Sequence, residues 1–387
     1  MTVDITLFGA TGYTGSLTAR YLAGHLPAGA TWAIAGRNRD KLESLAAELG
    51  EAGTTPEVVV ADQTDAGSLH AMVNRTRVLI STVGPYLTYG APVVQAAAEA
   101  GITYLDLTGE PQFVDQTWLA VHDLARETGA KLIHACGFDS VPYDLGVLFT
   151  VGQLPDDEPI RVRGYVRAKI TPSGGTYHSA IGQFSSLRES AKIAKQRRER
   201  EPRPEGRRIR GAGTPGRAAD GVKGFGVPLP TLDPQIVLRS ARALPAYGPD
   251  FTYEHYAHFH TRRMIAATAP VAGALFVGSQ IPPVRSLLLK AKAVGSGPRE
   301  EERAKHGFTL TLVGEAGERR VVTKVTGRDP GYGGTAVMLA ESALCAAFDD
   351  LPRVSGQTTT AVALGTALIT RLQNSDSPLS LTFETVR

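Results

Sequence analysis

MTVDITLFGATGYTG, residues Met1 to Gly15, decides the fold. A short β-branched run breaks at Gly9-Ala10-Thr11-Gly12-Tyr13-Thr14-Gly15 and continues into a segment with the spacing of an amphipathic helix (Leu17, Tyr21, Leu22). This is the arrangement of a dinucleotide phosphate cradle. Gly9 permits the tight strand-to-helix turn, and Gly12 lets the backbone approach a pyrophosphate whose charge rests on the amides at the helix start. Gly15 lets the helix pack closely on its strand. A Gly-rich turn alone is a weak signal, and the strand before it and helix after it are what give it meaning.

The end of the second expected strand, TWAIAGRN (residues 31–38), selects the nucleotide. A free ribose 2′-hydroxyl is usually held there by Asp or Glu, whereas a 2′-phosphate needs a cation. Gly36, Arg37 and Asn38 stand in that place, with Lys41 one helical turn on. The residues therefore favour NADP(H), with Arg37 and Lys41 as phosphate partners. The alternative is that Arg37 merely decorates a solvated helix start, where a cation is slightly unfavourable.

The chain has 387 residues, 42% of them hydrophobic and 20% charged, too long for one compact nucleotide-binding unit. We expect a doubly wound parallel sheet of the Rossmann type over 1–150, an α+β substrate domain over 151–330, and a C-terminal segment over 331–387 whose first helix returns to the first domain. A net charge of +3 demands no nucleic-acid partner. Cys136 and Cys345 lack metal-ligand spacing, so no metal site and no disulfide framework are expected. The first strand begins within three residues of Met1, which leaves no room for a signal peptide and makes the cytoplasm the default.

Apolar runs alternate with helical periodicity through the first third: residues 57–62, 77–83, 103–109 and 131–139. In such sheets ligands bind outside the carboxyl ends of the strands. The segments just after the runs hold Asp62, placed for an adenine amino group, then Ser81 to Gly90, Asp106 to Glu110, and Cys136 to Pro142. Beyond about 150 the pattern becomes that of an antiparallel or mixed sheet. Residues 160–170 and 251–259 alternate as strands, and a hairpin turns near Ala316-Gly317.

GATGYTG, STVGPYLTYG, YLDLTGE, ACGFDSVPYDLG and DPGYGGTAVMLAESAL occur in that order. Together they resemble the saccharopine dehydrogenase-like oxidoreductases, and look most like the actinobacterial trans-acting enoyl reductases within them. The resemblance spans nearly the whole chain. It implies a Rossmann domain, an inserted α+β domain, and hydride transfer from NADPH to a double bond in a polyketide-type acyl chain. It assigns Gly9, Thr11, Gly12, Tyr13, Thr14 and Gly15 to the phosphate loop, Arg37 to the cation position, and Thr82, Val83, Gly84, Pro85 and Tyr86 to the loop near the nicotinamide ribose. Cys136 and Gly137 extend the expected cofactor contacts. Residues 187–222 depart from the family pattern, and no universal proton donor can be placed.

Reducing a double bond conjugated to a carbonyl requires a hydride source, a donor that polarises the carbonyl, and an acid or water for the α-carbon. Tyr86 and Tyr89 are the leading catalytic candidates, weighed against mere ring packing. Tyr143, Asp139 and His178 follow. Tyr165 and Lys169 have a Tyr-x-x-x-Lys spacing, but on a strand four residues separate side chains by about 13 Å, which excludes a dyad. Between Arg188 and Lys223 twelve Lys or Arg face five acids. That composition suits a solvated loop or a docking surface for an acidic acyl carrier domain. Aromatic interleaving is absent, which disfavours nucleic acid.

Residues Met264 to Val284 carry no charge, and a buried helix or the wall of an acyl tunnel is favoured over peripheral membrane contact. This apolar segment also weighs against a substrate as charged as saccharopine. Two functions from different classes remain: an NADPH-dependent reductase of an enoyl thioester, with another carbonyl or imine substrate as runner-up, and a non-catalytic NADP(H)-sensing protein. The large apolar second domain disfavours the sensor.

Overall fold

In a computed structural model, which describes residues 2–171, 177, 181–182, 187–290 and 298–386, the chain forms two compact units. The first comprises 1–139 and 331–380, the second 140–330 and 381–387. The first break thus falls at Asp139-Ser140, where sequence periodicity placed it near 150.

The first unit holds a parallel sheet of β1 (Val3–Phe8), β2 (Trp32–Gly36), β3 (Glu57–Val60), β4 (Thr76–Ser81), β5 (Thr103–Asp106), β6 (Lys131–Ile133) and β14 (Gly356–Thr358), in the order β14-β6-β5-β4-β1-β2-β3. Its crossovers are α1 (Tyr13–His25), α2 (Arg39–Ala52), α3 (Ala66–Val73), α4 (Tyr86–Glu99) and α5 (Pro111–Thr128). Helices on both faces explain why the central strands read as nearly continuous apolar runs. Ile5, Leu7, Ile34, Leu79, Ile80 and Leu105 are all fully buried. Leu7 lies in register with Ile34 on one side and Ile80 on the other. Strand order reverses at β1, so the carboxyl ends of β1 and β4 flank the crevice where this architecture binds ligands.

The second unit begins with α6 (Val141–Val151) and contains a mixed sheet, as expected from the alternating runs. Among the described residues its order is β15-β13-β12-β7-β11-β10-β9, with β8 also paired to β11. The strands are β7 (Ile160–Lys169), β8 (Arg208–Ala212), β9 (Gly216–Arg217), β10 (Phe225–Pro228), β11 (Asp250–Phe259), β12 (Gly307–Ala316), β13 (Arg319–Arg328) and β15 (Thr382–Thr385). β7 and β8 run parallel to β11, and the other pairings are antiparallel. Tyr165 sits on a strand, as its spacing required, and stacks on Tyr256 with ring centroids 5.2 Å apart. Its hydroxyl accepts from the Ala219 amide.

Further helices of this unit include α7 (Leu187–Arg200), α8 (Asp233–Ala243), α9 (Arg262–Gln280), α10 (Pro282–Lys290) and α11 (Glu300–Arg303). Later helices α12 (Gly333–Phe348), α13 (Thr360–Ala363) and α14 (Gly365–Asn374) belong to the first unit, where α12 packs on α1.

Two expectations change. The basic stretch is folded rather than a solvated loop: it supplies α7, β8 and β9, Arg197 is buried against Glu201, and the Arg207 guanidinium donates to the Gly248, Ala241 and Leu244 carbonyls. Glu201, held low in pKa by Arg197 despite its burial, also pairs with Arg242. The apolar run from Met264 to Val284 is not buried. It forms α9 and the start of α10, and most of its described side chains are exposed, because these helices pack chiefly on each other.

Candidate functional site

β1 delivers the chain to Gly9, whose φ of +88° lies in the left-handed region that glycine adopts without strain. A Cβ at Gly9 would stand 2.7 Å from Thr82 Oγ1, and one at Gly15 only 2.2 Å from the Gly9 carbonyl oxygen. Both positions must be glycine for α1 to start this close to β1. Gly12 caps α1 without a side-chain bond, leaving the first amides of the helix for an anion. Thr82, just past β4, donates its hydroxyl to the Phe8 and Gly9 carbonyls at 3.2 and 3.1 Å, and Val83 lies against Gly9. The turn is therefore fixed from two strands before any ligand arrives. Thr11 and Gly12 are exposed, Tyr13 and Thr14 half-buried, and the Tyr13 ring meets Tyr332 edge-on at 5.1 Å.

At the end of β2, Asn38 caps α2 by accepting from the Lys41 amide at 2.9 Å. Arg37 is exposed and makes no ion pair or hydrogen bond among the described residues. An exposed cation held in no ion pair beside a nucleotide cradle fits a 2′-phosphate. A cleft of about 390 Å³ joins Lys41 to Thr11 of the phosphate loop and Ser16 of α1, with Asp40, Ser44, Leu45 and Glu48 completing its wall. Asp62, after β3, accepts from the Thr64 amide and hydroxyl, both at 2.8 Å, and these bonds, with the nearby Arg37 charge, hold its carboxyl below the usual range.

The loops after β4, β5 and β6 are tied into one floor. Asp106, fully buried, meets His134 Nδ1 at 2.6 Å and accepts from the Thr108 and Ala135 amides, each at 3.0 Å. Buried Glu110 accepts from the Leu87 amide at 2.8 Å, joining the β5 loop to the start of α4. The Phe138 amide donates to Thr335 Oγ1 at 3.0 Å, and a Cβ on Gly137 would strike Leu107 and Thr335. Cys136 is buried, with its thiol donating to the Ile133 carbonyl. Sequence reading missed the Asp106–His134 pair and the Glu110 tie. Their signal was a polar residue at the buried end of each apolar run, a position that demands a partner.

Tyr86 occupies this floor rather than the space above it. It begins α4 immediately after Gly84-Pro85, is buried, donates its hydroxyl to the Ser81 carbonyl at 3.0 Å and accepts from the Leu107 amide at 3.1 Å. Burial, followed by the Asp106 charge, pushes its pKa well up. In this geometry the phenol, expected as the leading catalytic candidate, ties the end of β4 to the β5 loop. Tyr89, one turn on, is exposed, and its hydroxyl has no hydrogen-bond partner among the described residues. Tyr143 lies in the second unit, buried on α6 with its ring edge-on to His255 at 5.0 Å. His255 itself is held by the Tyr253 hydroxyl, and burial pushes its pKa down to about 4. His178 lies outside the described residues.

Asp139 closes the β6 loop. Its carboxyl lies over Gly109, where an added Cβ would be 3.0 Å from Oδ2. The residue is exposed, and the protein around its carboxyl pushes the pKa up, to about 6. A raised pKa with access to water is what a proton-exchanging group needs.

Comparison with known proteins follows the same division. Residues 5–133 match the family model for the saccharopine dehydrogenase NADP-binding domain, so the unit built on this cradle binds NADP(H). A trans-acting enoyl reductase of Mycobacterium tuberculosis is 34% identical over 403 residues, covering 95% of both chains. One from Mycobacterium ulcerans is 33% identical over 412 residues, covering 98% of this chain and 97% of its own. Apo saccharopine dehydrogenase from Saccharomyces cerevisiae shares the fold over 99% of both chains, with a TM-score of 0.57 at 11% identity.

Proposed function

This chain belongs to the trans-acting enoyl reductase family, an NADP(H)-dependent oxidoreductase group with a saccharopine dehydrogenase-like nucleotide domain, and from that premise we propose that it reduces the double bond of an α,β-unsaturated acyl thioester carried by an acidic carrier domain. The observation that supports this reading is the exposed Asp139 carboxyl on the β6 loop, set over Gly109 and two strands of the sheet from the β4 loop that braces the cradle.

Gly9 to Gly15 would hold the pyrophosphate and Arg37 and Lys41 the 2′-phosphate. Bound NADPH supplies the hydride for the β-carbon. The chain's own residues then manage charge and proton. Tyr89 offers a hydroxyl to the thioester carbonyl, on which negative charge develops as the double bond is lost. Asp139 gives its proton to the α-carbon: its O–H bond breaks as the new C–H bond forms, and the carboxylate regains a proton from solvent. Asp106, His134, Glu110 and Tyr86 position these loops without touching substrate.

The basic surface supports the carrier half of the proposal. Arg198 and Arg200 are exposed on α7. Arg197 is excluded, since it is consumed by Glu201. NADPH oxidation tests the reaction. Enoyl thioesters are expected to be turned over and converted to saturated products, while oxidation with imine or ketone substrates alone would overturn the reading. Tight NADPH binding with no turnover of any of these classes would instead favour a sensor.

A further inference from the structure

The helical pair α9–α10 is the largest apolar feature that the catalytic reading leaves unused. α9 runs from Arg262 to Gln280, and α10 follows at once from Pro282 to Lys290, with the axes bent by 116°. The bend is itself packed: Ser279 is buried, and a Cβ at Gly278 would meet Val284 and Leu288 at 3.2 and 3.3 Å. These contacts close the corner, and an apolar set around it stays exposed. Phe276, Val277, Ile281, Val284 and Leu287 are all exposed, Leu287 to 70% and Val277 to 57%. Five large apolar side chains gathered around one corner are a patch of the kind that soluble surfaces rarely leave uncovered.

Charge identifies the occupant. Between Thr261 and Lys290 the chain carries Arg262, Arg263, Arg285 and Lys290 and no Asp or Glu. Arg263, Arg285 and Lys290 have no ion-pair partner among the described residues, and the last two lie on the same short helix as Val284 and Leu287. A second copy of this chain laid on the corner would bring cations against cations. An acidic protein surface would satisfy the cations and leave the apolar corner without hydrocarbon. An anionic bilayer surface supplies both, with acyl chains for the corner and phosphate for the cations beside it. No single helix among the described residues is long and apolar enough to cross a membrane, and the sharp bend suits an element that lies in the interface.

We propose that the α9–α10 corner is a peripheral membrane anchor that binds anionic lipid surfaces. Apolar burial provides the hold, and Arg285 with Lys290 provides the preference for negative charge. The inference stands independently of the reaction assigned above.

The test is flotation of the full-length protein with vesicles of phosphatidylcholine alone or of equal parts phosphatidylcholine and phosphatidylglycerol. The protein is expected to float with the anionic vesicles, more weakly as salt rises. The double variant Val277→Asp/Leu287→Asp should lower the bound fraction by roughly tenfold or more. Arg285→Gln/Lys290→Gln should erase the difference between the two vesicle types. All these positions are on a surface that is at least partly solvent-exposed, and unchanged NADPH binding confirms that each variant is folded. Failure of the parent protein to float with anionic vesicles would overturn the proposal, as would equal binding by the apolar variant. A concentration-dependent dimer abolished by Val277→Asp, without vesicle binding, would assign the corner to a second copy instead. Capture of an isolated acidic carrier domain, lost in the same variants and without vesicle binding, would assign it to that partner.

Discussion

Arg37→Ala isolates the residue that sets cofactor choice. In the structure this guanidinium is exposed, makes no ion pair or hydrogen bond among the described residues, and follows the buried Gly36 at the end of β2. A phosphate monoester carries about −1.5 to −2 charges near neutral pH. At 4 Å in water each unit charge interacts with a cation by about 1 kcal/mol, so the pair contributes about 1.5 to 2 kcal/mol. A charge-assisted hydrogen bond, taken at the lower end of its range for an exposed site, gives about 1.5 kcal/mol. The two routes agree on a loss of roughly ten- to thirtyfold in NADPH affinity.

Lys41 remains on the neighbouring cleft and keeps the loss from being complete. Asp62 stays ionised in the variant because the Thr64 amide and hydroxyl, ahead of Arg37, are the main causes of its lowered pKa. Fluorescence titration with NADPH and NADH in parallel is the assay. The expected result is a selective loss for NADPH that shrinks as salt is raised, with NADH affinity unchanged. Equal losses for both cofactors would show that Arg37 supports the loop rather than the 2′-phosphate, and would refute the reasoning.

Three further outcomes follow from the site. Asp139 must be protonated to act as an acid, so with its pKa raised to about 6, kcat should fall as pH rises through that value, and Asp139→Asn should lower kcat about 10²-fold or more and remove the pH limb in a pH–rate profile. Tyr86→Phe removes the acceptor of the Leu107 amide and the donor to the Ser81 carbonyl; denaturation should show a loss of about 1 to 3 kcal/mol while kcat at a permissive temperature stays near the parent value, and a large kcat loss in a fully folded variant would return the phenol to chemistry. Arg198→Ser/Arg200→Ser should raise KM for a carrier-bound substrate, more at low salt, and spare a small free thioester; an equal effect on both would remove α7 from carrier docking.

What could be read from the linear chain is whatever local chemistry dictates. Gly9, Gly12 and Gly15 occur at a spacing that a tight strand-to-helix turn enforces through backbone sterics, so the nucleotide cradle was visible before any contact was known. Apolar runs at even intervals dictated a doubly wound sheet because strands buried on both faces can contain little else. The absence of a carboxylate beside Arg37 spoke to the 2′-phosphate for the same local reason.

Tertiary structure decided the questions whose answer depends on residues far apart in the chain. Tyr86 looked like a donor because its loop was correctly placed at the end of β4. Only the folded loops show that its proton goes to the Ser81 carbonyl while its oxygen accepts from the Leu107 amide, 21 positions later. Arg197 and Arg198 are neighbours of the same type, yet Glu201 buries one and leaves the other in solvent, a difference set by which face of α7 meets the unit. Asp139 gained its interest from packing over Gly109, a contact between two loops that composition does not foretell. The apolar segment from Met264 to Val284 shows the same limit from the other side. Hydrophobicity says that a side chain resists water, and only the fold says whether the protein itself covers it, which at the α9–α10 corner it does not.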